Sequence, residues 1–267
     1  MQFVVERAHP SPSFAPWKCP AVVIPTYNEI ENLEALVAVL HQEAPSLAII
    51  VVDDNSPDGT GECADALAQQ DRRIQVIHRP RKLGLGTAHI AGMRWALVHG
   101  HEPILTMDAD FSHAPCYIPS MLAALQEYDV VIGSRYVLGG GQVNCSVPRV
   151  VLSRSANLFA RTMLGLAAAD ATAGFRAYRR AVLESIDLDT IRSNGYSFLI
   201  EMLYACQLAG WRISEIPIVF EQRRQGKSKI SRREIFQALH TVIRLCVQSG
   251  HVQGDAGTSQ IDVFSKR

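Results

Sequence analysis

The sequence lacks the features that mark membrane-spanning and exported proteins. No uninterrupted apolar run reaches the roughly 18 residues expected of a transmembrane helix. The nearest candidate, 235–247, is broken by Gln237, His240 and Arg244. The N-terminal segment carries charges and prolines where a secretory signal peptide would have an apolar core. We therefore predict neither a spanning helix nor a signal peptide.

Paired cysteines and an excess of one charge are also absent. The six cysteines are scattered without any C-x-x-C pair, which argues against a zinc framework and a small disulfide-rich domain and favours a reduced, cytosolic setting. Lysine plus arginine total 26, as do aspartate plus glutamate, so the overall charge argues neither for nor against nucleic-acid binding. Basic residues gather between 221 and 244, whereas acids cluster in the middle of the chain. This distribution suits a reaction between phosphorylated molecules.

Short apolar segments alternate with amphipathic ones through the chain, and 267 residues suffice for one large domain. Continuous apolar strands are typical of parallel strands covered on both faces. The pattern predicts an α/β fold with a mostly parallel central sheet and helices on both faces. The predicted strands are 21–24, 48–52, 74–77, 104–107, 130–133 and 213–220, and the predicted helices are 30–40, 61–70, 87–99, 118–126, 148–166, 196–209 and 232–247.

Three further expectations concern the organisation of the chain. A single domain is predicted over 21–248, with an irregular leader at 1–20 and a polar, disordered tail at 249–267. The small residues of 167–180 predict a loop. Asn28 is expected to cap the first helix.

Asp108 and Asp110 follow the apolar segment 104–107. In extended chain, residues i and i+2 point to the same side, so both carboxylates can face one ligand. Mg²⁺ is commonly held by one or two carboxylates together with substrate phosphates, and it would relieve the repulsion between them. An isolated pair of this kind is more often a plain acidic surface loop.

Other predicted strand ends are polar too, and this favours a site over a loop. In parallel α/β sheets, ligands bind beyond the carboxyl ends of the strands. The sequence therefore predicts a nucleotide and metal site at that edge. The polar strand ends are Pro25-Thr26-Tyr27-Asn28-Glu29, Asp53-Asp54-Asn55-Ser56, His78-Arg79 and Asp108-Ala109-Asp110.

Two more patterns have competing interpretations. Gly84-Leu85-Gly86 suggests a dinucleotide loop, but His89 stands where the third glycine is required, so the glycines more simply allow a turn before a helix. Arg149 and Ser153 lie one helical turn apart and can face one anion, although an ordinary solvated helix face fits equally well. Arg135 follows a predicted strand at the same edge.

With these residues in view, the chain resembles the polyprenol- and dolichol-phosphate mannosyltransferases of glycosyltransferase family two. The resemblance extends from about Ala21 to Leu245. The late Gly-x-Ser-Lys pattern is the most specific to this branch. The motifs that carry it are Pro25-Thr26-Tyr27-Asn28-Glu29, Asp53 to Thr60, Met107 to His113, Gly133-Ser134-Arg135-Tyr136, Arg149 with Ser153, Gly174-Phe175-Arg176, and Arg223 to Lys229.

The resemblance implies a GT-A fold, GDP-mannose as donor, a divalent metal (Mg²⁺ or Mn²⁺) and a polyprenyl or dolichyl phosphate acceptor. It assigns the nucleoside to Pro25, Tyr27, Glu29, Asp53 and Asp108, and the metal to Asp108, Asp110 and Ser112. It assigns the lipid phosphate to Arg135, Arg149, Ser153 and Arg223, with Lys229 helping to close a loop. Some relatives carry glutamine at the position of Ser112, and serine is a weaker metal ligand, so water is expected to complete that position.

The same resemblance implies inverting transfer on the cytoplasmic face of a membrane, with no nucleic-acid partner. The 232–247 helix either lies on an anionic membrane or packs in the core, and a separate membrane-anchoring subunit is a further alternative. Rival functions are transfer from UDP-glucose or another donor to the same lipid, and transfer to a glycan or protein. A non-catalytic nucleotide-binding subunit is a rival of another class.

Overall fold

The computed structural model describes residues 17–221 and 232–257. It confirms the predicted α/β fold, in which strands and helices alternate along the chain. The strands are β1 (Ala21–Thr26), β2 (Ala48–Asp53), β3 (Ile74–His78), β4 (Ile104–Thr106), β5 (Val130–Ser134), β6 (Gly141–Val143), β7 (Arg176–Tyr178), β8 (Ile213–Pro217) and β9 (Val219–Glu221). The helices are α1 (Ile30–Glu43), α2 (Thr60–Gln70), α3 (Leu85–Val98), a short 3₁₀ turn (Pro115–Tyr117), α4 (Ile118–Ala124), α5 (Val147–Leu164), α6 (Arg180–Ser185), α7 (Tyr196–Leu208) and α8 (Arg232–Gly257).

The central sheet has seven strands in the order β3-β2-β1-β4-β7-β5-β8. Only β7 runs antiparallel to its neighbours, β4 and β5, and the other pairs are parallel, as predicted. A separate two-stranded ribbon joins β6 to β9. The carboxyl ends of β1, β2, β4 and β5 therefore meet at one edge, which is where the polar residues lie.

Helices cover both faces of the sheet because successive strand residues point to opposite sides. On one face, Val22 and Ile24 pack with α1, α2 and α4. On the other face, Ala21 and Val23 pack with α3, α6 and α7. A third cluster joins α5, α7 and α8 around Ile200.

Two predicted segments differ from the structure. The predicted loop 167–180 contains β7 and the start of α6. β7 is three residues long, and its strand conformation depends on long-range pairing with β4 and β5, which a local pattern does not reveal. The predicted strand 213–220 is split at Ile218, because β5 ends opposite Pro217 and the chain then pairs with β6.

The ends of the domain also differ from the prediction. Part of the predicted leader is attached to the domain: the Trp17 indole donates to the Leu122 carbonyl at 2.9 Å, and Cys19 forms a β-bridge with Glu102. Helix α8 continues ten residues beyond the predicted end at Val247, to Gly257. That stretch contains no proline to stop a helix. Residues 258–267 of the predicted tail lie outside the described residues.

The predicted cap of the first helix is wrong. Asn28 adopts a left-handed conformation, and Glu29 occupies the N-cap position. The first helical N–H, of Ile30, is instead 3.3 Å from Asp58 Oδ2, which comes from the loop after β2. This contact ties the end of β1 to the end of β2.

Candidate functional site

A cleft of about 1120 Å³ opens at the carboxyl edge of the sheet. It brings together most of the side chains that the sequence singles out. Asp53, Asp110 and Ser112 lie buried beside it, and Arg223 and Lys229 fall outside the described residues. The predicted residues that line the cleft are Pro25, Tyr27, Glu29, Asp108, Arg135, Arg149 and Ser153.

Asp53 lies at the end of β2, between the cleft-lining residues Thr26 and Asp54. One carboxylate oxygen accepts from Thr26 Oγ1 at 2.9 Å and Ser56 Oγ at 2.6 Å, and the other accepts the Ser56 N–H at 3.0 Å. Asp53 is buried. Its carboxylate therefore fixes the Thr26–Ser56 corner, while a direct contact with a nucleoside stays a prediction.

Asp54 orders the loop between β3 and α3. It pairs with Arg79 at 2.8 Å, and its other oxygen lies 3.2 and 3.3 Å from the N–H groups of Leu83 and Gly84. This holds Lys82 at the cleft, where its ammonium sits 3.7 Å from the centre of the Tyr27 ring. A cation and an aromatic face thus stand together on one wall.

Asp108, Asp110 and Ser112 lie in the turn after β4. Asp110 Oδ1 accepts the Ser112 N–H at 3.0 Å, and the Asp108 N–H donates to His113 Nδ1 at 3.2 Å. The Ser112 hydroxyl is buried and has no hydrogen-bond partner among the described residues. A buried, unsatisfied oxygen beside carboxylates is costly unless a ligand satisfies it. This donor set fits a hard, oxygen-preferring cation.

The described part of the chain contains no group of three histidine, cysteine, aspartate or glutamate side chains able to hold a metal unaided. A cation at Asp108 and Asp110 would need further oxygens from its ligand or from water. That is the usual situation of Mg²⁺ bound to a substrate phosphate.

Arg135 reaches the cleft from the end of β5 but is already ion-paired. Its Nε and Nη2 donate to the two oxygens of buried Asp170 at 2.7 and 2.6 Å, and Nη2 also donates to Thr172 Oγ1 at 2.8 Å. Burial opposes the charge, but these bonds to Asp170 outweigh it and raise the pKa of Arg135. Arg135, which the sequence predicts as a phosphate ligand, therefore also stabilises the 170–172 loop.

Helix α5 presents Arg149 and Ser153 to the cleft from one face, as their spacing predicts. Asn157 continues this face one turn further, and its amide donates to Thr172 Oγ1 at 2.9 Å. The Tyr136 hydroxyl donates to Ser153 Oγ at 2.7 Å and accepts from Gln142 Nε2 at 3.0 Å. The corner of the cleft formed by Arg149 and Ser153 is thus connected to β5, β6 and the 170–172 loop.

Helix α8 forms the far wall of the cleft. Arg244 donates to Glu201 Oε1 at 2.7 Å and to Ser193 Oγ at 3.1 Å, and Ser193 also contacts Thr241. Val242, also on α8, is buried in the cluster that joins α5, α7 and α8. One face of α8 packs on α7, as the core alternative predicts. Another part of the helix surface exposes Phe236, Leu239, Ile243 and Val247, and contact with a membrane stays a prediction.

Arg176 and His89 lie buried beneath the site. The Arg176 guanidinium donates to three backbone carbonyls, of Ala171, Ala173 and Leu199, and so fixes the loop before β7. His89 is fully buried against Phe198, and neither ring nitrogen has a partner among the described residues. Burial above all, and then the charge of Arg176, lower the pKa of His89 to about 3.

The sequence predicts no role for several side chains that line the cleft or contact its lining residues. Tyr136 belongs to the Gly133-Ser134-Arg135-Tyr136 motif, and Lys82 lies just before Gly84-Leu85-Gly86, so nearness to a motif is the available signal. Asn194 gave no signal, because it reaches the site from a distant loop: it accepts the Gly86 N–H at 3.0 Å and its amide donates to Leu83 O at 3.2 Å. Gln142 and Phe220 depend on the β6–β9 ribbon in the same way.

The chain is similar in sequence to one family model and to proteins named for their activity. The model of glycosyl transferase family 2 matches residues 21–187. The undecaprenyl-phosphate mannosyltransferase of Micrococcus luteus is 46% identical over 222 residues, covering 83% of this chain and 91% of that protein. The polyprenol monophosphomannose synthase of Mycolicibacterium smegmatis is 47% identical over 223 residues, covering 83% and 84%.

A solved structure of similar fold is glucosyl-3-phosphoglycerate synthase from Mycobacterium tuberculosis, in complex with Mn²⁺, UDP and glucosyl-3-phosphoglycerate. The TM-score is 0.60 at 19% identity, over 85% of this chain and 80% of that one. At this identity the likeness concerns the fold alone. The family model covers more than half of the chain, and two relatives share nearly half of the aligned residues, so this chain belongs to glycosyl transferase family 2.

Proposed function

We propose that the protein transfers mannose from GDP-mannose to a polyprenyl or dolichyl phosphate, with inversion. One observation carries the proposal: a single cleft combines Asp108 at the sheet edge with Arg149 and Ser153 on α5. A carboxylate suits a metal-bound diphosphate, and an arginine with a hydroxyl suits a second phosphate. The names of the two relatives specify mannose and a polyprenol phosphate.

On the donor side, Pro25, Tyr27, Glu29, Asp53 and Asp108 hold the nucleoside in this proposal. The aromatic face of Tyr27 suits a base, and carboxylates accept hydrogen bonds from base and ribose. Asp53 acts by fixing the Thr26–Ser56 corner. Lys229, which lies outside the described residues, is a further donor-site residue in this proposal.

A divalent cation, Mg²⁺ or Mn²⁺, is held by Asp108, Asp110 and Ser112 in this account. The Ser112 hydroxyl supports this set of ligands, because it is buried and has no hydrogen-bond partner in 17–221 and 232–257. When bound, the cation neutralises negative charge that develops on the leaving diphosphate. Side chains of the protein bind the two substrates and align them.

On the acceptor side, Arg149 and Ser153 hold the lipid phosphate, with Arg223 as a further ligand. Arg135 contributes one edge of its guanidinium while Asp170 occupies the other. An oxygen of the acceptor phosphate attacks the anomeric carbon, a new C–O bond forms, and the bond to the leaving GDP breaks. By analogy with glycosidases, the transition state is oxocarbenium-like. Because the acceptor is already an anion, alignment by these side chains suffices without a strong general base.

The lipid acceptor implies that the protein works at the cytoplasmic face of a membrane as a peripheral protein. No helix among the described residues is long and apolar enough to span a bilayer. The exposed apolar residues of α8, Phe236, Ile243 and Val247, support direct contact with the membrane surface. A membrane-anchoring subunit is the alternative means of attachment.

The test is to incubate purified protein with Mg²⁺, a polyprenyl phosphate and, in parallel, labelled GDP-mannose, UDP-glucose and UDP-N-acetylglucosamine. We expect an organic-soluble labelled product from GDP-mannose alone. Product from another donor would support the same mechanism with a different donor sugar. The absence of product from every donor, with and without added membranes, would contradict the proposed function.

A further inference from the structure

The loop 82–86, where α3 begins, is held from two sides. On the β2 side, Asp54 Oδ2 lies 3.2 and 3.3 Å from two backbone N–H groups of the loop. On the other side, the Asn194 side chain accepts the Gly86 N–H at 3.0 Å and donates to the Leu83 carbonyl at 3.2 Å. Asn194 lies 108 residues beyond Gly86, in the loop before α7.

Asn194 supplies the N-cap that α3 lacks. The first N–H groups of a helix have no acceptor within the helix, and the side chain of the preceding residue commonly provides one. Before α3 that residue is Gly84, which has no side chain. The side-chain oxygen of Asn194 takes this place at the Gly86 N–H. The start of α3 therefore depends on a residue from the other half of the chain.

The Gly84-Leu85-Gly86 pattern follows from this packing. A Cβ atom on Gly84 would lie 2.4 Å from Asn194 Nδ2, and one on Gly86 would lie 2.9 Å from the carbonyl oxygen of Ser193. Gly84 also has a φ of +105°, a backbone conformation that favours glycine. The pattern therefore makes room for Asn194 and its neighbour.

Asn194 is itself anchored through Ser193 to the helices behind it. The Ser193 N–H donates to Glu201 Oε2 on α7 at 2.8 Å, and the Ser193 hydroxyl lies 3.0 Å from Thr241 Oγ1 on α8. Arg244, also on α8, donates to the same hydroxyl at 3.1 Å. The segment that carries Asn194 is thus tied to two helices and provides a fixed support for the loop.

The loop carries Lys82 to the cleft. The Lys82 ammonium lies 3.7 Å from the centre of the Tyr27 ring, and Lys82, Tyr27 and Asn194 all line the cleft. Tyr27 belongs to the nucleoside site of the proposed function. A lysine beside it suits the anionic and hydrogen-bond-accepting groups of a nucleoside diphosphate. A loop that is already ordered loses less conformational entropy when its lysine contacts the ligand.

We infer that Asn194 is a positioning residue for the donor nucleotide, because it holds the loop 82–86 so that Lys82 faces the nucleoside diphosphate. This inference rests on the proposed function, and it adds a residue from outside the donor motifs. Asn194 acts through the loop and not by contact with the nucleotide. Its effect on donor affinity therefore depends on Lys82.

The experiment is a double-mutant cycle on the affinity for GDP, measured by calorimetry with Mg²⁺ present. Asn194→Ala should weaken GDP binding about fivefold, because two hydrogen bonds that hold the loop are lost. Lys82→Ala should weaken it about tenfold. The double variant should bind about as weakly as Lys82→Ala, because no lysine is left to position, whereas independent contacts would give about fiftyfold.

Gln207→Ala is the matched control. The Gln207 side chain also joins two backbone groups of a loop, since it donates to the Gly165 carbonyl at 2.8 Å and accepts the Ala167 N–H at 2.9 Å. It is not among the described residues that line the cleft, so GDP affinity should stay as in wild type. Hydrogen exchange of the 83–87 amides should become faster in Asn194→Ala and not in Gln207→Ala.

The Michaelis constants separate a donor effect from general damage to the fold. In Asn194→Ala, KM for GDP-mannose should rise while KM for a polyprenyl phosphate stays as in wild type. Wild-type GDP affinity in Asn194→Ala, or losses that multiply in the double variant, would overturn the inference. Failure of the wild type to bind GDP would instead refute the donor of the proposed function, and the inference with it.

Discussion

The hydroxyl of Tyr136 donates a hydrogen bond of 2.7 Å to Oγ of Ser153. Tyr136 in turn accepts from the amide of Gln142. Because Ser153 Oγ accepts from tyrosine, its own hydrogen points elsewhere, and no described residue accepts it. The hydrogen bonds from Gln142 to Tyr136 and from Tyr136 to Ser153 therefore leave the Ser153 hydroxyl as a donor in the cleft, near Arg149. This polarity suits an anionic ligand.

Replacing Tyr136 by phenylalanine removes this orienting bond and keeps the ring. We expect kcat/KM for the lipid phosphate to fall about tenfold, since one oriented hydrogen bond to a charged ligand is lost, with KM for GDP-mannose unchanged. Steady-state kinetics with each substrate varied measure the two effects separately. Tyr128→Phe, at a half-exposed site, serves as control. Equal losses toward donor and acceptor would indicate general distortion of the fold instead.

Arg149 provides the charge at the same corner. Arg149→Ala should reduce lipid transfer by about a hundredfold or more, and Arg149→Lys should restore only part of it, because lysine lacks the bidentate fork. Labelled product extracted into organic solvent gives the rate. Arg94→Ala, on the exposed side of α3, is the control. Unchanged turnover in Arg149→Ala would favour a glycan or protein acceptor, which needs no phosphate site.

Asp110→Asn tests the assignment of the metal. The substitution keeps the shape of the turn and removes one negative charge, so the added affinity for GDP that Mn²⁺ provides should fall at least about tenfold. Calorimetric titration of GDP with and without Mn²⁺ measures this directly. Affinity without the metal should be almost unaltered. A variant that binds and transfers as well as the parent would exclude Asp110 as a metal ligand.

The burial of His89 leads us to expect that the stability of the fold depends on pH. Its pKa is about 3 in the folded protein and about 6.5 when unfolded, so between these values the unfolded chain binds a proton that the folded chain does not. Stability is therefore fully present above about pH 6.5 and falls as pH decreases, by about 2 kcal/mol at pH 5. His89→Phe should remove the part of the loss of stability at low pH that His89 causes.

Urea denaturation at about pH 7.5 and about pH 5 measures the effect of His89→Phe against wild type. His240→Gln, at an exposed histidine on α8, is the control. The same loss of stability in wild type and His89→Phe would show that His89 does not lose its proton on folding.

Local patterns were sufficient to predict the strands that end at the site. Asp108, Arg135 and the Arg149–Ser153 pair reach one cleft because parallel strands end at a common edge, which follows from the alternation of strand and helix. The pairing of Arg135 with Asp170 could not be predicted in the same way. It joins residues 35 positions apart through the short β7 region, whose strand exists only by long-range pairing.

The same limit applies to the walls of the cleft. Asn194 and Gln142 reach the site from loops and a small ribbon whose positions depend on tertiary packing. The amphipathic pattern of α8 indicated an apolar stripe without showing which part is buried. The burial of Val242 and Leu245 and the Arg244–Glu201 contact show which face turns inward and which stays exposed.

The most direct test of the central claim is the product itself. Purified protein would be incubated with GDP-mannose, a divalent metal and a polyprenyl phosphate, and the lipid fraction analysed by mass spectrometry and by NMR of the anomeric centre. We expect a polyprenyl mannosyl phosphate in the β configuration. A lipid product of α configuration would contradict inversion, and mannose found only on a glycan or protein acceptor would contradict the proposed function.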